Sequence, residues 1–277
     1  MKLCTYAHAG ETRLGMVCND QVVDLAAAFP DAPREMIALI SNWDRWVDPF
    51  RALERQSPSG RPIAGLRLLA PIPRPGKVLA IGLNYADHIA ESRFDTPTEQ
   101  TWFCKQPTSI NGPFDPIEAP KVSKMIDYEG EMVAVIGRRG RHISRADAPA
   151  AIFGYMAGND VSVRDWQRHT PQWMLGKSFD THAPIGPWIT TSDEVGDPHA
   201  LDIRCLVNGD LRQNSNTQNL VFDTFAQVEQ LSKAMTLEPG DLIFTGTPEG
   251  VAAVVAGDTL VGGVAGLGTL SVRIARA

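Results

Sequence analysis

The sequence predicts an α+β fold that is mostly β. Three observations point there. The chain carries 24 glycines and 20 prolines in 277 residues, about 16% against an average near 12%, which implies many turns and short strands. Strand-like and helix-like segments do not alternate regularly, which excludes a TIM barrel and a doubly wound Rossmann sheet. Beyond residue 70, one stretch alone reads as a long helix: Phe222–Met235, with Phe225, Val228, Leu231 and Met235 on one face.

The elements follow in chain order. Lys2–Ala7 and Arg13–Cys18 are strand-like, and Asn19-Asp20 turns the chain into Gln21–Leu25. Arg34–Asn42 and Asp44–Glu54 are helical. Around the second, Trp43, Trp46, Val47, Phe50 and Leu53 recur at helical spacing and read as core. Gln56–Pro62 and Pro71–Gly76 are rich in Pro and Gly, so a boundary is expected near residue 70, between a small N-terminal α/β domain (1–70) and a larger domain (71–277). Val78–Gly82 is a buried-type strand and Asn84–Ser92 a short helix. Ile126–Gly137 reads as one long strand. Ile152–Asn159, Ile203–Val207, Asp241–Gly246 and Leu270–Ile274 are further strands, and Asn208-Gly209 signals a hairpin.

Composition narrows the function classes. With 43% apolar and 21% charged residues the chain is globular rather than disordered. At this mass roughly 11,700 Å² of about 43,600 Å² would stay exposed, so the core needs no disulfide or structural metal. A net charge of −6 disfavours a nucleic-acid partner. Cys4, Cys18, Cys104 and Cys205 are scattered, with no CxxC pair, and read as free thiols in a reducing compartment. Met1–Gly15 lacks an apolar leader core, and the longest apolar runs, such as Val251–Ala256, fall far short of the ~20 residues that span a bilayer. The expectation is a cytoplasmic protein without a membrane partner.

Several familiar motifs fail. Gly176-Lys177-Ser178 resembles the end of a P-loop, but Pro171 stands where its first glycine would be. GxSxG and HExxH are absent. The run Arg138, Arg139, Arg141 and Arg145 sits in a turn after a strand and reads as a solvated loop. One constellation survives. Asp127, Glu129 and Glu131 are spaced by two, so on a strand they share a face with Cα atoms about 6.5 Å apart. They enter an apolar run, Met132–Ile136, and carboxylates entering a buried strand need pairing or a metal. Asp160 ends another apolar stretch. An all-carboxylate set selects a hard cation, Mg²⁺ or Mn²⁺, with Ca²⁺ also suited. A solvated edge strand would show the same spacing. His88 and Glu91 lie i,i+3 on the helix Asn84–Ser92, an arrangement that orients an imidazole as a general base and is also common surface decoration. Lys177 between Gly176 and Ser178 could hold an ammonium against an anion. Arg164 and Gln167 are i,i+3 after Asp160. His8, His142, His169 and His199 have no such company.

In combination these pieces resemble the fumarylacetoacetate hydrolase family. Ile81–His88 with Glu91 resembles its N-terminal active-site motif, and Asp127-Tyr128-Glu129-Gly130-Glu131 its metal strand. Gly154–Ser162 with Arg164, Asp165 and Gln167 resembles its next block. Gly176-Lys177-Ser178, Pro184–Pro187, Gly240-Asp241 and Thr245–Pro248 with Gly250 complete it in order over residues 70–275. The resemblance implies a mixed β roll or sandwich and a homodimer. It implies Mg²⁺, with Mn²⁺ as alternative, held by Glu129, Glu131 and Asp160, with Asp127 outside the ligand set. It maps a water-activating pair onto His88 and Glu91, a substrate-polarising lysine onto Lys177, and substrate contacts onto Lys105, Gln167 and Thr247. Two departures touch the pocket wall: His182 stands where the family commonly has an aromatic, and Gly250–Asp258 is shorter than the usual loop.

The implied activity is metal-dependent hydrolysis of a C–C bond in a 1,3-diketo acid, of acylpyruvate or 2,4-diketo-3-deoxy acid type, releasing a 2-oxo acid and a carboxylic acid in a breakdown pathway. Decarboxylation of a 2-oxo diacid, dehydration of a 2-keto-3-deoxy sugar acid and isomerisation of an unsaturated 2-oxo diacid use the same chemistry. The His88–Glu91 pair favours hydrolysis. A binding protein on the same fold would have lost the carboxylates, and none is lost.

Overall fold

The computed structural model describes residues 1–92 and 95–276. Strand accounts for 38% and helix for 24% of it, so the mostly β expectation holds. Apolar and β-branched runs bounded by Gly, Asn and Asp turns form β1 (Lys2–His8), β2 (Glu11–Cys18) and β3 (Gln21–Asp24). Helix α1 (Trp43–Arg55) follows. It buries Trp46 and Phe50, while Trp43, Val47 and Leu53 pack at its margin, so the aromatic stripe is core. Then come β4 (Val78–Gly82), α2 (Ala86–Ser92), β5 (Thr101–Lys105), β6 (Gly130–Ile136), β7 (Ile152–Asn159) and β8 (Ala183–Thr191). The chain ends with β9 (Asp202–Val207), β10 (Asp210–Asn216), α3 (Thr224–Ala234), β11 (Leu242–Phe244), β12 (Thr259–Val264) and β13 (Gly268–Arg276). Among the described residues no helix is long and apolar enough to cross a membrane.

The main sheet runs β3-β2-β1-β8-β7-β6-β11-β4-β5, antiparallel except for the parallel pair β11 and β4. Through β1 and β8 the N-terminal strands share this sheet with the rest of the chain, and one apolar cluster reaches from Met1 and Leu3 through Trp46 and Phe50 to Val133 and Phe244. The second sheet runs β10-β9-β12-β13 and ends on Ile117–Ala119. Between the sheets lie Met132, Ala134 and Ile136 of β6, Tyr155 of β7, Ile203, Val264 and Leu270, with Val228 and Leu231 of α3. Strand β6 is therefore buried on both faces, which is why its sequence is unbroken apolar rather than alternating.

The structure corrects one element in a way that matters for the site. Ile126–Gly137 is not one strand. Ile126–Asp127 pairs with Ser162–Val163 and Ala253–Val254 in a small third sheet, and β6 begins only at Gly130. At the break side chains replace ladder partners: the Glu129 N–H donates to Asn159 Oδ1 at 3.0 Å and the Gly130 N–H to Gln213 Oε1 at 2.9 Å. A β-strand period therefore does not run through Asp127, Glu129 and Glu131, and Asp127 belongs to a different sheet.

Close strand packing makes one glycine indispensable. A Cβ on Gly154 in β7 would lie 2.2 Å from the Thr190 carbonyl oxygen of β8. Gly154→Ala should force these strands apart and cost about 1–3 kcal/mol, read as a melting-temperature drop of about 2–10 °C. Gly65→Ala, where nothing lies within 4 Å, should leave it unchanged. Equal melting points for the two variants in scanning calorimetry would refute this packing account.

Candidate metal centre and active site

Pairing of β6 with β7 sets Gly130 opposite Asn159, so Glu129, Glu131 and Asp160 meet where the two strands end. The Asp160 N–H donates to the Glu129 carbonyl at 2.8 Å and closes the junction. One carboxylate oxygen from each of the three lies within 4.8 Å of the others, and all three residues are buried. An octahedral hard cation with bonds near 2.1 Å separates its ligands by about 3–4 Å, so this span is of the right scale.

Three cations answer the carboxylates, each from a different segment. Lys177 Nζ donates to Glu129 Oε2 and Asp160 Oδ2, both at 2.7 Å. Lys105 Nζ, fully buried at the end of β5, donates to Asp160 Oδ1 at 2.6 Å and to the Lys177 carbonyl. Arg164 bridges Glu129 Oε1 and Asp127 Oδ2, both at 2.6 Å, and donates to Gln167 Oε1 at 2.8 Å. Among the described residues Asp127 thus reaches the centre through Arg164 and lies outside the triad.

Burial pushes the Glu129 carboxyl up, but Lys177 and Arg164 outweigh it and hold the group at about 2. Lys177 is raised, because Asp160 and Glu129 together exceed the burial that would lower it. Lys105 is lowered, chiefly by burial, with Lys177 adding to the effect. Glu131 is the exception. Burial and then the charges of Asp160 and Glu129 push it well above the ordinary carboxylate range. Its only hydrogen bond here is the Gly246 N–H at 2.7 Å, and among the described residues it pairs with no Lys or Arg. Four carboxylates, Asp127 included, face three cations. An all-oxygen donor set with one uncompensated buried carboxylate fits a divalent cation of the hard class.

The approach of Lys177 depends on Gly176, though not through flexibility. A Cβ there would lie 2.3 Å from the Gln167 backbone nitrogen, so glycine lets the turn Met174–Lys177 press onto the helix Arg164–Arg168. Phe103 lies 4.8 Å from the Lys177 ammonium, and Trp173 packs on Phe103 and Gly82. Trp166 lies on Phe179, and Trp102 packs against the inter-sheet core. The exposed Arg138 and Arg139 form surface ion pairs with Asp44 and Glu238.

Helix α2 carries His88 and Glu91. Their Nδ1 and Oε2 are 3.5 Å apart, the imidazole is 19% exposed, and its Nδ1 has no hydrogen-bond partner. The Gly250 N–H donates to Glu91 Oε2 at 3.2 Å. One loop, Thr245–Gly250, therefore touches Glu131 through Gly246 and Glu91 through Gly250. Asn84 ties the start of this region down: its amide donates to the Thr245 carbonyl at 2.8 Å and the Phe222 carbonyl at 2.9 Å. Thr247 is buried, and its Oγ1 donates to the Gly130 carbonyl at 2.9 Å. The amide that holds Thr247 in turn, Gln213, escaped sequence reasoning because it sits among mostly polar neighbours that give no burial signal. His182 takes an aromatic's place, tilted against the Phe179 ring at 5.5 Å with Nε2 3.0 Å from the Glu118 carbonyl.

Two expectations follow. Glu131→Gln should leave the metal-free melting temperature unchanged or raised, since it replaces a buried carboxyl whose charged form is disfavoured there. The variant should lose the stabilisation that Mn²⁺ gives the parent, about 2.7 kcal/mol at a hundredfold excess over Kd. Unaltered Mn²⁺ affinity by calorimetry would remove Glu131 from the ligand set. Burial holds His182 down at about 4 from an ordinary 6.5. Between those values the unfolded chain binds the extra proton, so stability is complete above pH 6.5 and falls as pH drops towards 4. His182→Phe should flatten melting temperature against pH in that window. An unchanged slope would contradict the neutral buried imidazole.

Comparison with known proteins agrees with this geometry. The family model described as fumarylacetoacetate (FAA) hydrolase C-terminal matches residues 77–275. The mitochondrial oxaloacetate tautomerase FAHD2B of Bos taurus is 44% identical over 233 residues, covering 83% of this chain and 74% of that protein. Two solved structures align over the full length of both chains. Maleylpyruvate hydrolase from Sphingobium sp. SYK-6, in complex with manganese(II) ion and pyruvate, is 33% identical with a TM-score of 0.86. The 5-carboxymethyl-2-hydroxymuconate delta-isomerase from Mycobacterium smegmatis is 37% identical with a TM-score of 0.80. With its acidic triad, its fold and its motifs in register, the chain belongs to the fumarylacetoacetate hydrolase family.

Proposed function

We propose that this chain is a divalent-metal-dependent enzyme that interconverts the keto and enol forms of a 2-oxo diacid of the oxaloacetate type. The observation that carries the reading is the buried Glu129–Glu131–Asp160 triad with Lys177 and Lys105 against it. Mg²⁺ or Mn²⁺, held by these carboxylates, supplies Lewis acidity towards the oxygens of a 2-oxo acid. Charge on Glu129 and Asp160 answered in this way leaves the Lys177 ammonium free to face a substrate oxygen. Gln167, held by Arg164, and Thr247 flank the same place. His88, with Glu91 beside it, takes the C3 proton of the keto form and releases it to solvent, the C3–H electron pair becomes the C2=C3 bond, and the 2-oxo oxygen takes a proton from solvent as the enol forms. The reverse steps regenerate the ketone, and no water is consumed. The 44% identity to an oxaloacetate tautomerase supports this choice of reaction.

Hydrolysis of a 1,3-diketo acid is the second reading, and a specific feature favours it. The His88 imidazole is partly exposed beside Glu91, where it could take a proton from water instead of carbon. Hydroxide would add to the distal carbonyl, Lys177 and Gln167 would hold the oxyanion, and as the C–C bond breaks the proton on His88 would pass to the departing enolate carbon, giving a 2-oxo acid and a carboxylic acid. The maleylpyruvate hydrolase likeness supports this alternative. We also read a cytoplasmic homodimer, on the four unpaired cysteines and on the exposed apolar Phe114, Val122, Met125 and Val255.

The discriminating assay follows the enol absorbance of oxaloacetate and of acetylpyruvate, with Mn²⁺ or Mg²⁺ and a chelator control, and identifies products by NMR. Chelator-sensitive decay of oxaloacetate enol beyond that of metal alone, with mass conserved, is the expected result. Acetate and pyruvate from acetylpyruvate would transfer the assignment to hydrolysis, and inertness towards both would overturn the two readings together. His88→Asn should slow the active reaction on the order of 10²-fold or more with Mn²⁺ affinity unchanged. A wild-type rate would place the base elsewhere.

A further inference from the structure

Strand β10 lies at the outer edge of the second sheet and is polar apart from the exposed Leu211. Of its seven residues only Gln213 is buried, at 1% exposure. The register shifts opposite it: Cys205 faces Gln213, but Leu206 faces Leu211, leaving Arg212 as the extra residue of a bulge. Bulges of this kind re-aim a side chain beside a functional site. A buried amide is costly unless its hydrogen bonds are made, and both ends of this one are used. Oε1 accepts from the Gly130 N–H at 2.9 Å, while Nε2 donates to Thr247 Oγ1 at 2.8 Å and to the Pro248 carbonyl at 2.9 Å. Thr247 Oγ1 closes the ring by donating to the Gly130 carbonyl. Gly130 stands between Glu129 and Glu131, so the ring joins the metal strand to the loop Thr245–Gly250. That loop rests on β10: a Cβ on Gly250 would lie 2.0 Å from the Arg212 carbonyl oxygen.

Two residues further, on the same face of β10, Ser215 Oγ donates to Asp87 Oδ2. Asn219 Nδ2 donates to Ser215 Oγ at 3.0 Å, and the other oxygen of Asp87 takes the N–H of His88 at 2.8 Å. One strand face thus reaches the metal strand, the Thr247 loop and the start of the His88 helix.

We propose that β10 is a positioning bracket for the active site, with Gln213 locking Thr247 to Gly130 and Ser215 locking the His88 helix to the same strand. This rests on the reading above that Glu129, Glu131 and Asp160 hold the cation and that Thr247 and His88 face substrate. The Thr247 hydroxyl hydrogen is committed to Gly130 and one lone pair to Gln213, so Thr247 offers a ligand only its remaining lone pair. Its placement, and through it substrate affinity, is set by Gln213. Neither Gln213 nor Ser215 touches the reacting atoms.

The test uses oxalate, a planar dianion shaped like a pyruvate enolate, titrated into the Mn²⁺-loaded protein by calorimetry, so that no turnover is needed. Gln213→Leu should weaken oxalate about tenfold or more, and so should Thr247→Val. The double variant should be no weaker than either single one, because the two residues act as one unit. Additive losses, or wild-type oxalate affinity in a folded Gln213→Leu protein, would overturn the bracket. Should Gln213→Leu fail to fold, Ser215→Ala decides: it should keep Mn²⁺ and oxalate affinity and lower kcat about tenfold with KM unchanged. An unchanged kcat would refute the latch on α2. If the parent turns over neither oxaloacetate nor acetylpyruvate while the oxalate cycle is non-additive, the assigned reaction fails and the bracket stands.

Discussion

Mutual repulsion of Glu129, Glu131 and Asp160 at a buried point is the constraint around which the molecule is arranged. Bringing three carboxylates out of water is unfavourable unless charge and hydrogen bonds replace the lost hydration. Lys105, Lys177 and Arg164 supply that charge at 2.6–2.7 Å, and Asp127 and Gln167 hold Arg164 in place. Among the described residues Glu131 is left with a backbone N–H as its hydrogen-bond partner, which makes the cluster receptive to one more cation.

Topology delivers these groups from distant parts of the chain. Strands β6 and β7 bring the carboxylates to one end of the main sheet, and β5, at the edge of that sheet, carries Lys105 back to Asp160. The short helices after Asp160 are pressed together at Gly176, which places Lys177 over the triad. The second sheet contributes no charged ligand. It covers the inner face of β6 and, through β10, meets the loop that joins the triad to α2. Rigid strands hold the candidate cation ligands, and a loop and a short helix hold the groups proposed to meet substrate, a division common in enzymes whose chemistry varies on one scaffold.

Such a division fits a family in which similar chains are named as a tautomerase, an isomerase and a hydrolase. All three reactions place negative charge on the oxygens of a 2-oxo acid, which is what a hard cation between carboxylates stabilises. What distinguishes them is whether the base beside that charge takes its proton from carbon or from water. On the proposed reading that question rests on His88, and so on how α2 is held by the contacts of Glu91 with Gly250 and of Asp87 with Ser215.

The candidate site was legible in the sequence wherever its chemistry is local. Glu129 and Glu131 sit two apart before an apolar run, Asp160 ends another, and His88 and Glu91 share a helical face, because cation binding and proton transfer select residue types at short spacings. The aromatic stripe of α1 and the long helix α3 were legible for the same reason, since helical periodicity is a local property. Burial of β6 on both faces was visible in its unbroken apolar run. Side-chain hydrogen bonds, however, ended the strand Ile126–Gly137 early, and nothing in its periodicity marks Tyr128-Glu129 as a break. The role of Gly176 as a close contact rather than a hinge depends on a neighbour that only packing supplies. The pairing of Lys105 with Asp160 spans 55 residues, and that of Gly130 with Gln213 spans 83. By itself the sequence pointed to a hard divalent cation, to a candidate carboxylate cluster and to the mostly β fold, because each is written in residue type and short-range spacing. Tertiary structure decided which cation neutralises which carboxylate, how the N-terminal strands join the main sheet and what holds the substrate loop, because partners far apart in the chain meet only through the packing of the whole.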